Sequence, residues 1–416
     1  MKKIGMVFTL ISILMLSGIL NSCEKSRSDT PPGDPVQIEL TLKQKEVVDS
    51  ANKFAFDLFK PIITEKKSEE NIMISPFSIT SALSMTLNGA AGETFESMKH
   101  VLRYDDRTIE EINETYLKLM TEMVPVDERV IMEIANSVWV EKKLTVKQSF
   151  MTALQTWYKA EARSIDVTDP GAVDMVNNWI EDKTHDKIRN MLESLDPDLA
   201  MLLINAIYFN GKWRNEFDKG DTEIKPFYIT PGSPVQVPIM FRKGNYAVTH
   251  TENATLVELP YGQGNYSMVV MLPDEGISIS DAVATLNATE WQEWMGRLSN
   301  GTIEVNLSLP RFKYEYKRLL NDDLSNLGMG IAFTDFADFS NISDQGLYIS
   351  FVLHQTFIET NEEGTEAAAA TIVGINTTSM PVVTTINVNR PFLYFIRETT
   401  TGTIVFMGQV VDPSAG

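Results

Sequence analysis

Residues 200–213 read "AMLLINAIYFNGKW", an apolar run with almost no alternation. A strand with no polar face must be covered on both sides, so this segment is expected inside a sheet with other elements packed above and below it. By contrast, "TIEVNLSLPRF" alternates strictly. Ile303, Val305, Leu307 and Leu309 share one face and Glu304, Asn306 and Ser308 the other, which predicts a half-exposed strand. "FLYFIRETTTGTIVFMGQVV" places two apolar runs around a Thr/Gly turn, the pattern of a hairpin.

Helical spacing is clearest toward the N-terminus. In "KQKEVVDSANKFAFDLFK" (43–60), Val47, Val48, Ala51, Ala55, Leu58 and Phe59 fall on one face. "NIMISPFSITSALSMTLNGA" begins as a short apolar strand and turns helical at Ser75-Pro76, because proline suits a first helical turn. A third helix is predicted over "DMVNNWIEDKTHDKIRNML" (174–192). Helices dominate the first half and strands the second, which favours an α+β fold over a βαβ repeat. Residues 41–413 contain no internal repeat and no Gly/Pro-rich linker, so one large domain is expected there.

Residues 1–22 read as a targeting segment. Lys2 and Lys3 precede an apolar run from Met6 to Leu20 that is short for a bilayer span. It closes in "LNSC", and Cys23 is the chain's one cysteine. The pattern resembles a bacterial lipoprotein box, in which the cysteine is lipidated and becomes the mature N-terminus. A lipid anchor at Cys23 and a flexible polar tether over 23–40 are therefore expected, with export to the cell envelope (outer membrane or surface). An ordinary secretory signal is the alternative.

Composition narrows the function. With 36 basic against 56 acidic residues the net charge is −20, which disfavours a nucleic-acid partner. Four histidines (His100, His185, His250, His354) fit no zinc spacing, and neither a nucleophile elbow nor a phosphate-binding glycine loop is present. "YGQGNYS" reads as a plain turn. No metal, cofactor or catalytic residue is expected, although a Ser/His/Asp triad scattered along the chain would leave no local motif.

Several segments, in order, resemble the serpins, a family of large single-domain protease inhibitors. They are "NIMISPFSITSALSMTLNGAAGET", "LINAIYFNGKWRNEF", "VELPYGQGNYSMVVMLP", "LSLPRFKYEY", "NEEGTEAAAAT" and "NRPFLYFIRETTTGTIVFMGQVVDP". The resemblance spans about 41–413. It implies a fold with three β-sheets, eight to nine helices and an exposed reactive loop at about 362–389. It also implies a monomeric suicide substrate: a serine endopeptidase cuts the loop, and the cut loop inserts into the main sheet before the covalent acyl-enzyme can hydrolyse. A cysteine protease is a further candidate target. A serpin scaffold with a binding or structural role and no trapping is the alternative.

The hinge of that loop is assigned to Glu362, Glu363, Gly364, Thr365, Glu366, Ala367, Ala368, Ala369, Ala370 and Thr371. Strand geometry puts Thr365, Ala367, Ala369, Thr371 and Val373 on one face, uncharged and small until Val373, as burial in a packed interior requires. Family spacing from Gly364 places the reactive bond at Thr378-Ser379, and spacing from Asn389-Arg390-Pro391-Phe392 places it near Met380. Ile375 and Thr377 are further alternatives. No Arg or Lys lies in 364–389, so an elastase-like preference for small or apolar residues is expected. The resemblance assigns Ser75, Ser78, Asn205 and His354, with Trp213 near the top of the same opening, to a gate between two central strands.

Overall fold

In the computed structural model, residues 33–65, 70–197, 199–365 and 383–415 are described. The first half runs α1 (Leu42–Glu65), β1 (Ile72–Ile74), α2 (Pro76–Leu87), α3 (Gly92–Val101), α4 (Ile109–Lys118), β2 (Val130–Glu141), α5 (Gln148–Ala153), β3 (Glu161–Ile165), α6 (Ala172–Lys183) and β4 (Met201–Lys212). Next come β5 (Glu223–Thr230), β6 (Ser233–His250), β7 (Ala254–Pro260), β8 (Tyr266–Pro273), α7 (Ile279–Ala284), α8 (Ala288–Leu298), β9 (Ile303–Pro310) and β10 (Phe312–Leu319). The chain closes with α9 (Asn321–Leu324), β11 (Phe351–Asn361), β12 (Gly364–Thr365), β13 (Thr384–Asn387), β14 (Phe392–Glu398) and β15 (Ile404–Val410). The described residues thus form an α+β fold with nine α-helical segments, matching the expected class and helix number.

Two hydrogen-bonded sheets carry the strands. The six-stranded sheet runs β10-β11-β12-β4-β2-β3, and the other runs β1-β15-β14-β8-β7-β6-β9-β13, with β5 on the outside of β6. Three sheets were expected. Two of them are joined here because β6 is continuous over 18 residues, pairing with β5 and β9 through its first part and with β7 through its last.

β4 is covered on both faces, as its unbroken apolarity requires. Leu203, Ile207 and Phe209 enter the main core, while Leu202, Ile204 and Ala206 enter a second cluster with α6. α2 is buried at every residue, because it lies between the sheets. Ser75 caps it, its Oγ accepting the Ser78 N–H at 3.3 Å, and Pro76 opens the first turn. In α1 Val47, Val48, Ala55, Leu58 and Phe59 are buried and Ala51 is half-buried.

Two expectations are corrected. The helix predicted over 174–192 is α6 and ends at Lys183. Thr184 turns the chain, its Oγ1 donating to the Ile180 carbonyl at 2.8 Å and accepting the Ile188 N–H at 3.2 Å, and His185 and Asp186 follow in the left-handed region. The last residues of the tether, 33–40, are docked rather than free: Ile38 and Leu40 are buried, and Val36 exchanges two 2.8 Å hydrogen bonds with the Asn265 amide. Averaged polarity over 23–40 hides these two apolar anchors.

Candidate functional site: a hinge inserted between two central strands

β4 and β11 are parallel neighbours for only part of their length. Leu202–Ala206 pair with Phe351–Gln355. Beyond that the strands part, and Gly364 and Thr365 stand between them. Thr365 lies opposite Gly211 of β4 and Thr360 of β11, both antiparallel. Among the described residues no strand pairs with Ile207–Asn210 or Thr356–Glu359 on their facing edges.

Short contacts fix this geometry. Gly364 has φ +150°, and a Cβ on it would sit 2.0 Å from the Gly211 carbonyl oxygen, so only glycine fits. Thr365 turns inward, its hydroxyl 2.8 Å from Tyr261 OH. Tyr261 in turn stacks on Trp213, ring centroids 4.4 Å apart. Trp213 is buried and reads the chain just before the hinge: its indole N–H donates to the Asn361 carbonyl at 2.9 Å and its backbone N–H to the Glu363 carbonyl at 2.8 Å. Trp213 therefore sits beside the hinge at the end of the opening where β4 and β11 part, as its expected place near the top of that opening requires, and apart from the polar cluster.

Two buried carboxylates anchor the same turn. Glu362 bonds Arg311 through Nε at 2.8 Å and through Nη2, and its Oε1 accepts the Thr222 hydroxyl. Burial raises the Glu362 pKa, but the Arg311 and Thr222 hydrogen bonds outweigh it and hold the carboxyl below its usual range. Glu363 pairs with Lys219 at 2.6 Å. Sequence reasoning missed Arg311, Thr222, Lys219 and Tyr261, whose partners lie tens of residues away or more and leave no local signal.

The other residues assigned to the gate meet where β4 and β11 are still paired. His354 is fully buried; its Nδ1 is 2.8 Å from Asn205 Oδ1, and its Nε2 accepts the Ser75 backbone N–H at 3.0 Å. Since the backbone N–H can only donate, Nε2 is unprotonated and the Nδ1–H donates to Asn205. Burial pushes the His354 pKa down to about 3, so the ring is neutral. The Asn205 amide reaches the Ser78 carbonyl at 2.8 Å, the Ser78 hydroxyl, and Asn136 Oδ1 at 2.6 Å. Asn136 continues the network to Ser81 at 2.8 Å.

Ser75, His354 and Asn205 superficially resemble a catalytic triad, but the geometry is wrong. The Ser75 hydroxyl donates to the Val405 carbonyl at 2.7 Å, only its backbone faces the imidazole, and the cluster is sealed from solvent. It is a structural bolt. Glu366, Ala367, Ala368, Ala369, Ala370, Thr371, the bonds around Thr378, Ser379 and Met380, and Cys23 lie outside the described residues.

The profile of the family described as Serpin (serine protease inhibitor) matches residues 49–413. The chain belongs to the serpin family. An uncharacterised serpin-like protein of Methanosarcina acetivorans is 33% identical, the match covering 99% of each chain. Iripin-5 of Ixodes ricinus is 35% identical over 86% of this chain and 93% of its own. The crystal structure of the thermophilic serpin tengpin in its native state superposes with a TM-score of 0.82 at 36% identity, covering 92% of this serpin and 97% of tengpin. The architecture is thus the serpin fold, and the two strands that part around the hinge belong to its six-stranded sheet.

Proposed function

We propose that this serpin is an inhibitor that traps serine endopeptidases as a suicide substrate. One observation carries the reading: Gly364 and Thr365 already occupy the first two positions of a strand between β4 and β11. If their register continued, Ala367 would lie between Phe209 and Ile358, Ala369 between Ile207 and Thr356, and Thr371 between Asn205 and His354. The first two alanines would meet two edges that have no described partner there. Thr371 would arrive where the strands are zipped, bringing a hydroxyl to the polar bolt that must open. Small residues line the open part of the path, and a hydrogen-bonding one meets the lock.

The chemistry needs only the target's own machinery. The protease serine Oγ attacks the Thr378 carbonyl, the bond to Ser379 breaks, and the Ser379 amine leaves with a proton. The acyl-enzyme then rides on the end of a segment able to extend β12. Each residue inserted adds backbone hydrogen bonds and buries side chains, and the intact chain is held short of that state kinetically. Serpin loop insertion is itself one of the standard examples of strand addition. Thr378 and Met380 suit a shallow apolar specificity pocket, and the lack of Arg and Lys in 364–389 disfavours a trypsin-like target. Lipidation of Cys23 would hold the inhibitor on the cell envelope, with residues 33–40 docked on the body as the end of the tether.

Mixing with pancreatic elastase tests the reading. An SDS-stable adduct supports it, and mass spectrometry of the adduct identifies the bond. Cleaved loop without adduct favours a serpin scaffold that does not trap. Mass analysis of the mature N-terminus tests the lipid separately.

A further inference from the structure

β5 and the start of β6 form an outer hairpin whose inner face is core: Phe227, Val237 and Ile239 are buried. Its outer face is unusual. The register pairs Ile224 with Pro238, Pro226 with Gln236 and Tyr228 with Pro234, so five of six side chains on that face are apolar. Ile224 is 65% exposed and Tyr228 39%, although exposed strand faces normally carry polar residues. Glu223 and Lys225, which pair with each other at 2.9 Å, fall on the Phe227 side by alternation, so the outer face itself carries no charged side chain.

The surroundings say what covers it. At one end, the Pro238 carbonyl accepts the Arg311 N–H at 2.9 Å, and Arg311 holds Glu362 at the root of the hinge. Farther along, the Tyr228 N–H donates to Asn389, just past β13, where the chain has returned from residues 366–382. Both anchors of that segment thus adjoin the hairpin, and β13 lies in the same run of strands, β5-β6-β9-β13. At about 3.3 Å per residue, the apex of 366–382 is at most roughly 28 Å from its anchors. Even a small domain is about 30 Å across. A protease working on that segment therefore comes down onto this end of the molecule.

We infer that the outer face of the β5–β6 hairpin, centred on Ile224 and Tyr228, is a second docking surface for the target protease. It accepts an apolar patch beside the protease's cleft and raises the rate of capture without taking part in trapping. This rests on the inhibitory reading above, so the experiment separates the two. Ile224→Asp and Tyr228→Ala, both on a solvent-facing strand surface, are compared with the unaltered full chain against pancreatic elastase. The second-order association rate is expected to fall about tenfold or more in Ile224→Asp, a size typical of effects on association. The yield of SDS-stable adduct per inhibitor and the melting temperature should hold. A free peptide of residues 364–389 should be cleaved at a rate that gives no account of the difference.

Rates within about twofold of the unaltered chain in both variants would overturn the inference. So would sedimentation showing that the unaltered chain self-associates through this face and the variants do not. If the unaltered chain forms no adduct, the inhibitory reading fails by itself. The rate of loop cleavage in chain and variants then still reports whether the hairpin recruits the protease.

Discussion

Gly364 and Gly211 are in backbone contact across two strands, so close that a methyl group on Gly364 would lie 2.0 Å from the Gly211 carbonyl oxygen. On the proposed mechanism, this contact would let the loop begin as a strand before it is cut. Gly364→Ala is expected to expel Thr365 from between β4 and β11. The strained backbone alone costs about 1–3 kcal/mol. With the first step of insertion lost, adduct yield with elastase should fall and cleaved loop accumulate, both visible on one denaturing gel. Undiminished adduct would mean the pairing at Gly364 is incidental.

On the proposed mechanism, continuing the register of Gly364 and Thr365 would bring Ala369, on the same parity as Thr365, between Ile207 and Thr356. An arginine there would bring an unpaired charge into the interior at a cost of about 3–5 kcal/mol. Ala369→Arg should therefore turn inhibitor into substrate, with the cleavage rate kept and the adduct lost. Ala368→Arg, of the opposite parity, should trap more efficiently than Ala369→Arg.

Arg311 holds a carboxylate whose side chain is only 2% exposed. Arg311→Ala leaves Glu362 buried without its ion pair, which should destabilise the fold by about 3 kcal/mol in urea unfolding. Limited proteolysis should then cut near the hinge. Arg311→Lys keeps the charge but loses the forked geometry, and should fall between the two.

His354 makes stability depend on pH in a definite direction. Its folded pKa of about 3 lies below the unfolded value near 6.5, so the unfolded chain binds the extra proton between those limits. Its contribution is complete above about pH 6.5 and declines toward pH 3 by up to about 1.4 kcal/mol per unit. Glu362, with its pKa lowered, adds a loss of its own only below the ordinary carboxylate range near 4.5. Urea midpoints between pH 7 and 5 should therefore drop more steeply for the native chain than for His354→Asn. Nitrogen NMR should find the Nδ1–H tautomer throughout that range.

Much of this was legible in the residues. Ser75-Pro76 marks the start of α2, alternation over 303–309 marks β9, and the unbroken apolarity of 200–213 marks a strand buried on both faces. Even so, Ile303, on the apolar side of that alternation, is 48% exposed, since it opens β9 at its end. What the residues did not disclose depends on tertiary partners. The Arg311–Glu362 pair joins positions 51 residues apart, and Asn265 reaches back 229 residues to dock Val36. The early end of α6 turns on one threonine hydroxyl competing with the helix. The joining of two sheets turns on β6 failing to break.

Hydrogen exchange on the intact and the loop-cleaved protein tests insertion most directly. The facing edges of Ile207–Asn210 and Thr356–Glu359 should exchange readily before cleavage. After cleavage they should slow by about a hundredfold or more, as their amides gain a strand partner. Unchanged exchange at the gap-facing amides, about half of those eight residues because strand N–H groups alternate between edges, with the loop demonstrably cut, would contradict the mechanism.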